Sequence, residues 1–222
     1  MPTSGNPVIH DLMHTKQITT QGPKPEAAES ALILLHGRGA NARDILNLAD
    51  YLAVKGYALL APQATNHTWY PYSFLAPPEQ NEPWLTSALD VIGDIVNDLN
   101  AAGLSHDRIF FVGFSQGACL TLEYVARNAR RWGGVVAFTG GLIGDRIYRN
   151  RYKGNFSSTP VYIGTSDPDP HVPVTRVDET AQVLREMGAE VTVDVFPGMG
   201  HTINDKEIEK ANAIIFGTDP KP

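Results

Sequence analysis

Six short apolar runs, each parted from the next by a longer stretch, leave this chain few folds to choose from. The runs are Ala31 to Leu35, Ala58 to Ala61, Ile109 to Gly113, Gly134 to Phe138, Val161 to Gly164 and Val191 to Phe196. Most are β-branched and short enough to be buried strands. Four of the stretches between them and one after the last have helical spacing. Asn41 opens one that reaches about Lys55, where Gly56 fits a stop. Pro83 to Ala102 places Leu85, Leu89, Ile92, Val96 and Leu99 on one face, and Gly103 ends it. Gln116 to Arg130 and Val174 to Met187 are two more. A last helix starts at Asn204 as N-cap and runs to Phe216. This alternation predicts an α/β fold, a mostly parallel sheet with helices on both faces.

A chain of 222 residues fits one such domain. We place it at 30–217, after a polar extension (1–29) and before a short tail (218–222). Ile18 to Gln21 offers an edge strand within the extension.

Composition removes several functions. The net charge is −6 with no basic stripe, which argues against nucleic acid and anionic membrane as partners. Cys119 is the lone cysteine, so no internal disulfide forms, and it reads as a core residue. The N-terminus lacks a charged and apolar leader, and no apolar run approaches the roughly 18 residues of a membrane span. The expectation is a soluble, cytoplasmic protein without stable membrane insertion, its oligomeric state open, a homodimer included.

The sharpest chemical signal is Gly113-Phe114-Ser115-Gln116-Gly117, between the strand Arg-Ile-Phe-Phe-Val and a helical pattern. That is the setting of a nucleophile elbow, in which a serine sits on a strained strand-to-helix turn. A merely solvated serine on a tight turn leaves both glycines unexplained. A serine hydroxyl needs a base within hydrogen-bond reach. Of seven histidines, only His201 follows the last strand, in Phe-Pro-Gly-Met-Gly-His-Thr. His10, His14, His67 and His106 read as solvated loop residues; the first two are four apart, but Asn6-Pro7 and the lack of an apolar face argue against a metal pair. The acid should follow the strand that ends near Gly164. Asp167 and Asp169 both qualify there, and spacing alone does not separate them. The other aspartate would cap the turn through an Asx bond.

Leu34-Leu35-His36-Gly37-Arg38-Gly39-Ala40 supplies the fourth component. The backbone N–H of Arg38, with that of Gln116, is placed to hold an oxyanion. The Arg38 guanidinium reads equally as a surface cation. This segment lacks the spacing of a phosphate or dinucleotide loop. The long segment from Gln63 to Glu82 carries Trp69, Tyr70, Tyr72 and Phe74, and loops of that length are usually functional. With Phe114 and Met199, these aromatics are candidates to line an apolar acyl site.

Taken together, these motifs, the Trp69-Tyr70 pair and Asp169-Pro170-His171-Val172-Pro173 resemble the phospholipase/carboxylesterase family of α/β-hydrolases, which includes acyl-protein thioesterases. The resemblance spans about Ser30 to Phe216. It implies an α/β-hydrolase fold, Ser115 as nucleophile, His201 as base and Asp169 as the acid. It also implies Gln116 and Arg38 at the oxyanion hole, a small-molecule ester or thioester substrate, and no metal or other cofactor. Two positions depart from the family pattern: Ala40 and Pro71 stand where aspartate is common. Both lie near the implied acyl pocket, so the resemblance implies a carboxylesterase of unassigned substrate rather than a long-chain thioesterase or lysophospholipase. A non-catalytic binding module on the same scaffold is the reading from another class.

Overall fold

All six apolar runs become neighbouring parallel strands of one sheet. The computed structural model describes residues 13–217. The strands are β1 (Ile18–Gln21), β2 (Ala31–Leu35), β3 (Ala58–Pro62), β4 (Ile109–Phe114), β5 (Gly134–Phe138), β6 (Pro160–Asp167) and β7 (Glu190–Pro197), in the order β1-β3-β2-β4-β5-β6-β7. Only β1 runs antiparallel, pairing Ile18 with Pro62 at the sheet edge. Strands β2 to β5 are buried along almost their whole length, which is why they read as unbroken apolar runs.

Helices cover both faces. Helix α2 (Trp84–Ala101), α3 (Gln116–Arg127) and α4 (Val174–Glu186) pack on one side through residues such as Leu85, Ile92, Leu120, Val125 and Leu184. On the other, α1 (Ala42–Leu46) and α5 (Asp205–Ala211) close over Leu32, Leu34, Val112 and Val136. The chain leaves β2 for β3 on one side and returns to β4 on the other. The ends of β2 and β4 therefore flank the crevice where open α/β sheets place their ligands.

The edge strand β7, expected to be buried, is only half-buried, and three further elements differ from expectation. The first helix does not reach Lys55. After Leu46 it tightens into a 3₁₀ turn over Asn47–Tyr51. Leu46, Ala49 and Leu52 are spaced by three, and the tighter winding turns all of them inward. The last helix widens after Ala211 into a π turn over Asn212–Phe216, which brings Ile215 into the core. Asn212 holds that turn in place: its Oδ1 accepts from the Ala53 amide at 2.8 Å and its Nδ2 donates to the Tyr51 carbonyl at 2.9 Å.

The third difference lies before β1. His10 falls outside the described residues. His14, expected in solvent, is wedged against the rings of Trp69 and Trp84. Its Nδ1 accepts from the Thr65 amide at 3.1 Å, so Nε2–H donates to the Trp69 carbonyl at 2.8 Å. Burial holds its pKa below the ordinary value, opposed by the bond to Trp69. From Met13 onward the extension is packed on the domain rather than trailing from it.

Candidate active site

Ser115 sits between β4 and α3 with φ +54° and ψ −118°, a backbone state that costs energy for any residue but glycine. Packing enforces it. A Cβ on Gly113 would lie 2.4 Å from the Gly117 carbonyl oxygen, and one on Gly117 only 2.1 Å from that of Leu35. Both neighbours must be glycine for strand, turn and helix to close this tightly. The turn is tied down by the Ser115 amide donating to the Phe138 carbonyl at 3.0 Å.

His201 arrives on the loop after β7, in which Gly198 and Gly200 have φ +67° and +81°. Its Nε2 lies 2.8 Å from Ser115 Oγ, and its Nδ1 lies 2.8 Å from Asp169 Oδ2. A carboxylate only accepts, so Nδ1 carries the proton and Nε2 is free to accept from the serine hydroxyl. The Phe114 and His171 rings pack on the imidazole, with centroids 5.3 and 4.8 Å away.

Asp169, rather than Asp167, faces His201. Its side chain is fully buried and divides its two oxygens between two tasks. Oδ1 accepts the amides of His171 at 2.7 Å and Val172 at 2.8 Å, while Oδ2 faces the imidazole. The Asx bonds expected of the other aspartate are thus made by Asp169 itself, and the exposed Asp167 has no side-chain hydrogen bond among the described residues. Burial pushes the Asp169 carboxyl up, but the two amides and His201 outweigh it and leave it below the usual carboxylate range. Ser166, buried and unremarkable in sequence, links the two loops. Its Oγ accepts from the Gly200 amide at 3.0 Å and donates to the Pro168 carbonyl at 3.3 Å.

The segment after β3 is docked over the serine by side chains whose part the sequence hid. The Arg38 guanidinium donates to the carbonyls of Tyr70 (2.9 Å), Pro71 (2.9 Å) and Tyr72 (2.8 Å). It is a clasp, and not a free surface cation. The Gln116 side chain accepts from the Trp69 amide at 2.9 Å and donates to the Tyr70 carbonyl at 2.8 Å. Asn81, fully buried, accepts from the Tyr72 amide at 2.8 Å and donates to the Ser73 carbonyl at 3.1 Å. His36 fixes the start of the segment: its Nε2 accepts from the Ala64 amide at 3.1 Å, and its carbonyl takes the Trp69 indole N–H at 2.9 Å.

These elements border a half-open cavity of about 390 Å³, lined around Ser115 by Tyr70, Phe74, Cys119, His171 and Val172, with Arg38 and Tyr72 also on its wall. Trp69, Phe114 and Met199, expected to line it, do not. Trp69 is spent on the His36 carbonyl, Phe114 packs behind His201, and the Met199 sulfur takes the Asn204 amide side chain. Cys119 lies one turn beyond Ser115, and burial pushes its thiol up to about 12, so it stays protonated and a poor nucleophile. Among the described residues, no three metal-ligating side chains are grouped closely enough to hold an ion. Nor is any helix there long and apolar enough to cross a membrane.

A sequence model of the phospholipase/carboxylesterase family matches residues 16–216. The chain belongs to this family. The crystal structure of a phospholipase/carboxylesterase from Dyadobacter fermentans is 51% identical and superposes with a TM-score of 0.91, over 92% of this chain and 98% of that one. Acyl-protein thioesterase 1 of Gibberella zeae is 28% identical over 51% of this chain, which spans 49%, about half, of that relative's length. Acyl-protein thioesterase 1 of Kluyveromyces lactis is 25% identical over 84% of this chain and 90% of its own. The α/β-hydrolase fold of the family is the one described above.

Beneath the His201 loop lies one further group. Glu207, the third residue of α5, is fully buried; its Oε2 accepts from the Asn204 amide at 2.9 Å. Its Oε1 is pressed against Gly164, where an added Cβ would lie 2.2 Å away. That oxygen, the Tyr162 hydroxyl and Asp194 Oδ2 all lack a hydrogen-bond partner among the described residues. Burial pushes the Glu207 carboxyl up to about 7, and the Asp194 charge adds to the effect.

Proposed function

We propose that this protein is a serine esterase that hydrolyses carboxylic esters, thioesters included, through an acyl-enzyme on Ser115. The observation that carries the reading is the single imidazole bonded at once to Ser115 Oγ and Asp169 Oδ2, at 2.8 Å on each side. In the first step Ser115 Oγ attacks the substrate carbonyl while its proton passes to His201 Nε2. Asp169 stabilises the imidazolium that results and holds its orientation. The oxyanion is held by the backbone N–H groups of Arg38 and Gln116. Neither amide gives a loop or turn hydrogen bond to the backbone of the described residues. Gln116 also opens α3, whose N-terminal dipole favours negative charge there. Removing one such donor costs about 3–4 kcal/mol in known cases. His201 then protonates the leaving alcohol or thiol, and in the second step takes a proton from the water that frees the acid.

The family supports ester hydrolysis as the reaction class. A cytoplasmic setting, which keeps a lone buried thiol reduced, belongs to the same reading. A fluorophosphonate probe should label Ser115, and Ser115→Ala should abolish p-nitrophenyl butyrate hydrolysis with an unchanged far-UV spectrum. Turnover near the wild-type level in that variant would end the serine mechanism.

A further inference from the structure

Arg38 places a permanent positive charge in the wall of the cavity at Ser115. A guanidinium is not deprotonated in proteins. Its terminal nitrogens donate to the carbonyls of Tyr70, Pro71 and Tyr72, three residues that line the cavity with it. Those carbonyls are neutral, so they fix the position of the charge without cancelling it. Among the described residues Arg38 forms no ion pair, and its Nε–H has no hydrogen-bond partner. No acidic side chain lines the cavity, although the chain as a whole carries −6. Two carboxylates lie behind the wall, both fully buried and both already engaged. Glu123 is paired with Arg127, and Asp169 takes the amides of His171 and Val172 and faces His201, which becomes an imidazolium during the reaction. His171 and His201 share the wall, but an imidazole carries charge only when protonated. The Arg38 charge is present without them.

We propose that the Arg38 guanidinium is a specificity-determining group that favours esters carrying a carboxylate near the reacting carbonyl. This rests on the serine esterase reading above and names its substrate class. A fixed charge in a half-open cavity draws in a charge of opposite sign, and this one is held by three bonds before any substrate arrives, so little further ordering is needed on binding. A guanidinium also suits a carboxylate in shape, because its planar N–H groups match the two oxygens. In the proposed mechanism the amide of the same residue meets the oxyanion, which ties the charge to the reacting carbon at the distance of one side chain. A carboxylate on the acyl part and one on the alcohol part are both recognised by this chemistry, and substrates of the two kinds tell them apart.

The test compares kcat/KM at about pH 8, where free imidazole is neutral, for pairs of esters that differ in charge but scarcely in size. Monomethyl glutarate against methyl glutaramate puts the carboxylate on the acyl side. The acetate ester of 3-hydroxybenzoate against that of 3-hydroxybenzamide puts it on the alcohol side. Loss of the clasp in Arg38→Met slows both members of a pair alike and cancels in their ratio, as does intrinsic reactivity. At low salt the carboxylate-to-amide ratio should fall about threefold or more from wild type to Arg38→Met on at least one arm, and that arm names the side of the ester. On the same arm the wild-type ratio should shrink as salt rises from about 0.01 to 1 M, where the screening length drops from about 30 Å to about 3 Å. The salt series needs no variant, so it decides even where Arg38→Met is too slow to assay. A ratio that moves by less than about threefold on both arms in Arg38→Met, or a wild-type ratio indifferent to salt on both, would overturn the inference. Failure of the esterase reading looks different: no ester of the panel, charged or neutral, is turned over and the fluorophosphonate leaves Ser115 unlabelled.

Discussion

Glu207→Gln should change how stability depends on pH, in a direction the buried carboxyl fixes. The carboxyl has an ordinary pKa of 4.5 and rises to about 7 in the fold, chiefly through burial. Between those values the folded protein holds a proton that the unfolded chain has released. Stability therefore falls as pH rises through this window and levels off above it. At about 1.4 kcal/mol per pH unit, the rise amounts to roughly 3 kcal/mol lost by pH 8. Glutamine keeps an acceptor for the Asn204 amide and cannot ionise, so this slope should vanish. The assay is urea unfolding at pH 5 and pH 8 for both proteins. His14 and His36 act with the opposite sign: burial lowers both pKa values, so their contribution is lost as pH falls below about 6.5. They are present in both proteins and cancel in the comparison. If wild type and Glu207→Gln lose or gain the same free energy between the two pH values, Glu207 does not hold a proton in the fold and the reasoning fails.

Four further variants test the site. Asp169→Asn should lower kcat by about 10⁴-fold through loss of the correct imidazole tautomer. Asp167→Asn, at an exposed position, should stay near wild type in the same p-nitrophenyl butyrate assay. Arg38→Met removes three bonds to the segment over the serine but keeps the backbone amide. It should lower kcat/KM by about 10–100-fold and speed amide exchange across Tyr70 to Ser73 in hydrogen-exchange mass spectrometry. Gly117→Ala forces a methyl onto the Leu35 and His36 carbonyls, 2.1 and 2.6 Å from the new carbon, and should cost about 3 kcal/mol in urea unfolding.

Strands β2 to β6 are readable because burial on both faces writes them as continuous apolar runs, the half-buried edge strand β7 because it is rich in β-branched residues, and the alternation of strands with helices marks the sheet as mostly parallel. Ser115 was readable for a local reason, since both flanking glycines are demanded within five residues of chain. Asp169 was not separable from Asp167 by spacing. The two differ in which one takes the amides of His171 and Val172, and that depends on how the turn folds. The side chains of Arg38, Gln116 and Asn81 were opaque in another way. Their partners are mostly backbone carbonyls and amides, which carry no residue-specific signal, and Arg38 and Gln116 reach theirs across 32 to 47 positions of sequence. His14 was missed because nothing in its polar surroundings marks the two tryptophans that bracket it. The early end of the first helix had a visible cue, the three-residue spacing of Leu46, Ala49 and Leu52, within a stretch that otherwise suits an α-helix.

One residue joins two parts of the machinery that could have been independent. In the proposed mechanism the residue whose amide meets the developing anion, Arg38, is also the one whose guanidinium grips Tyr70, Pro71 and Tyr72. An ester too bulky for the wall pushes on those carbonyls and, through them, on the amide next to the reacting carbon. Misfit then registers as a slower turnover as well as a looser grip, so selectivity among acyl groups would be written in kcat as much as in KM.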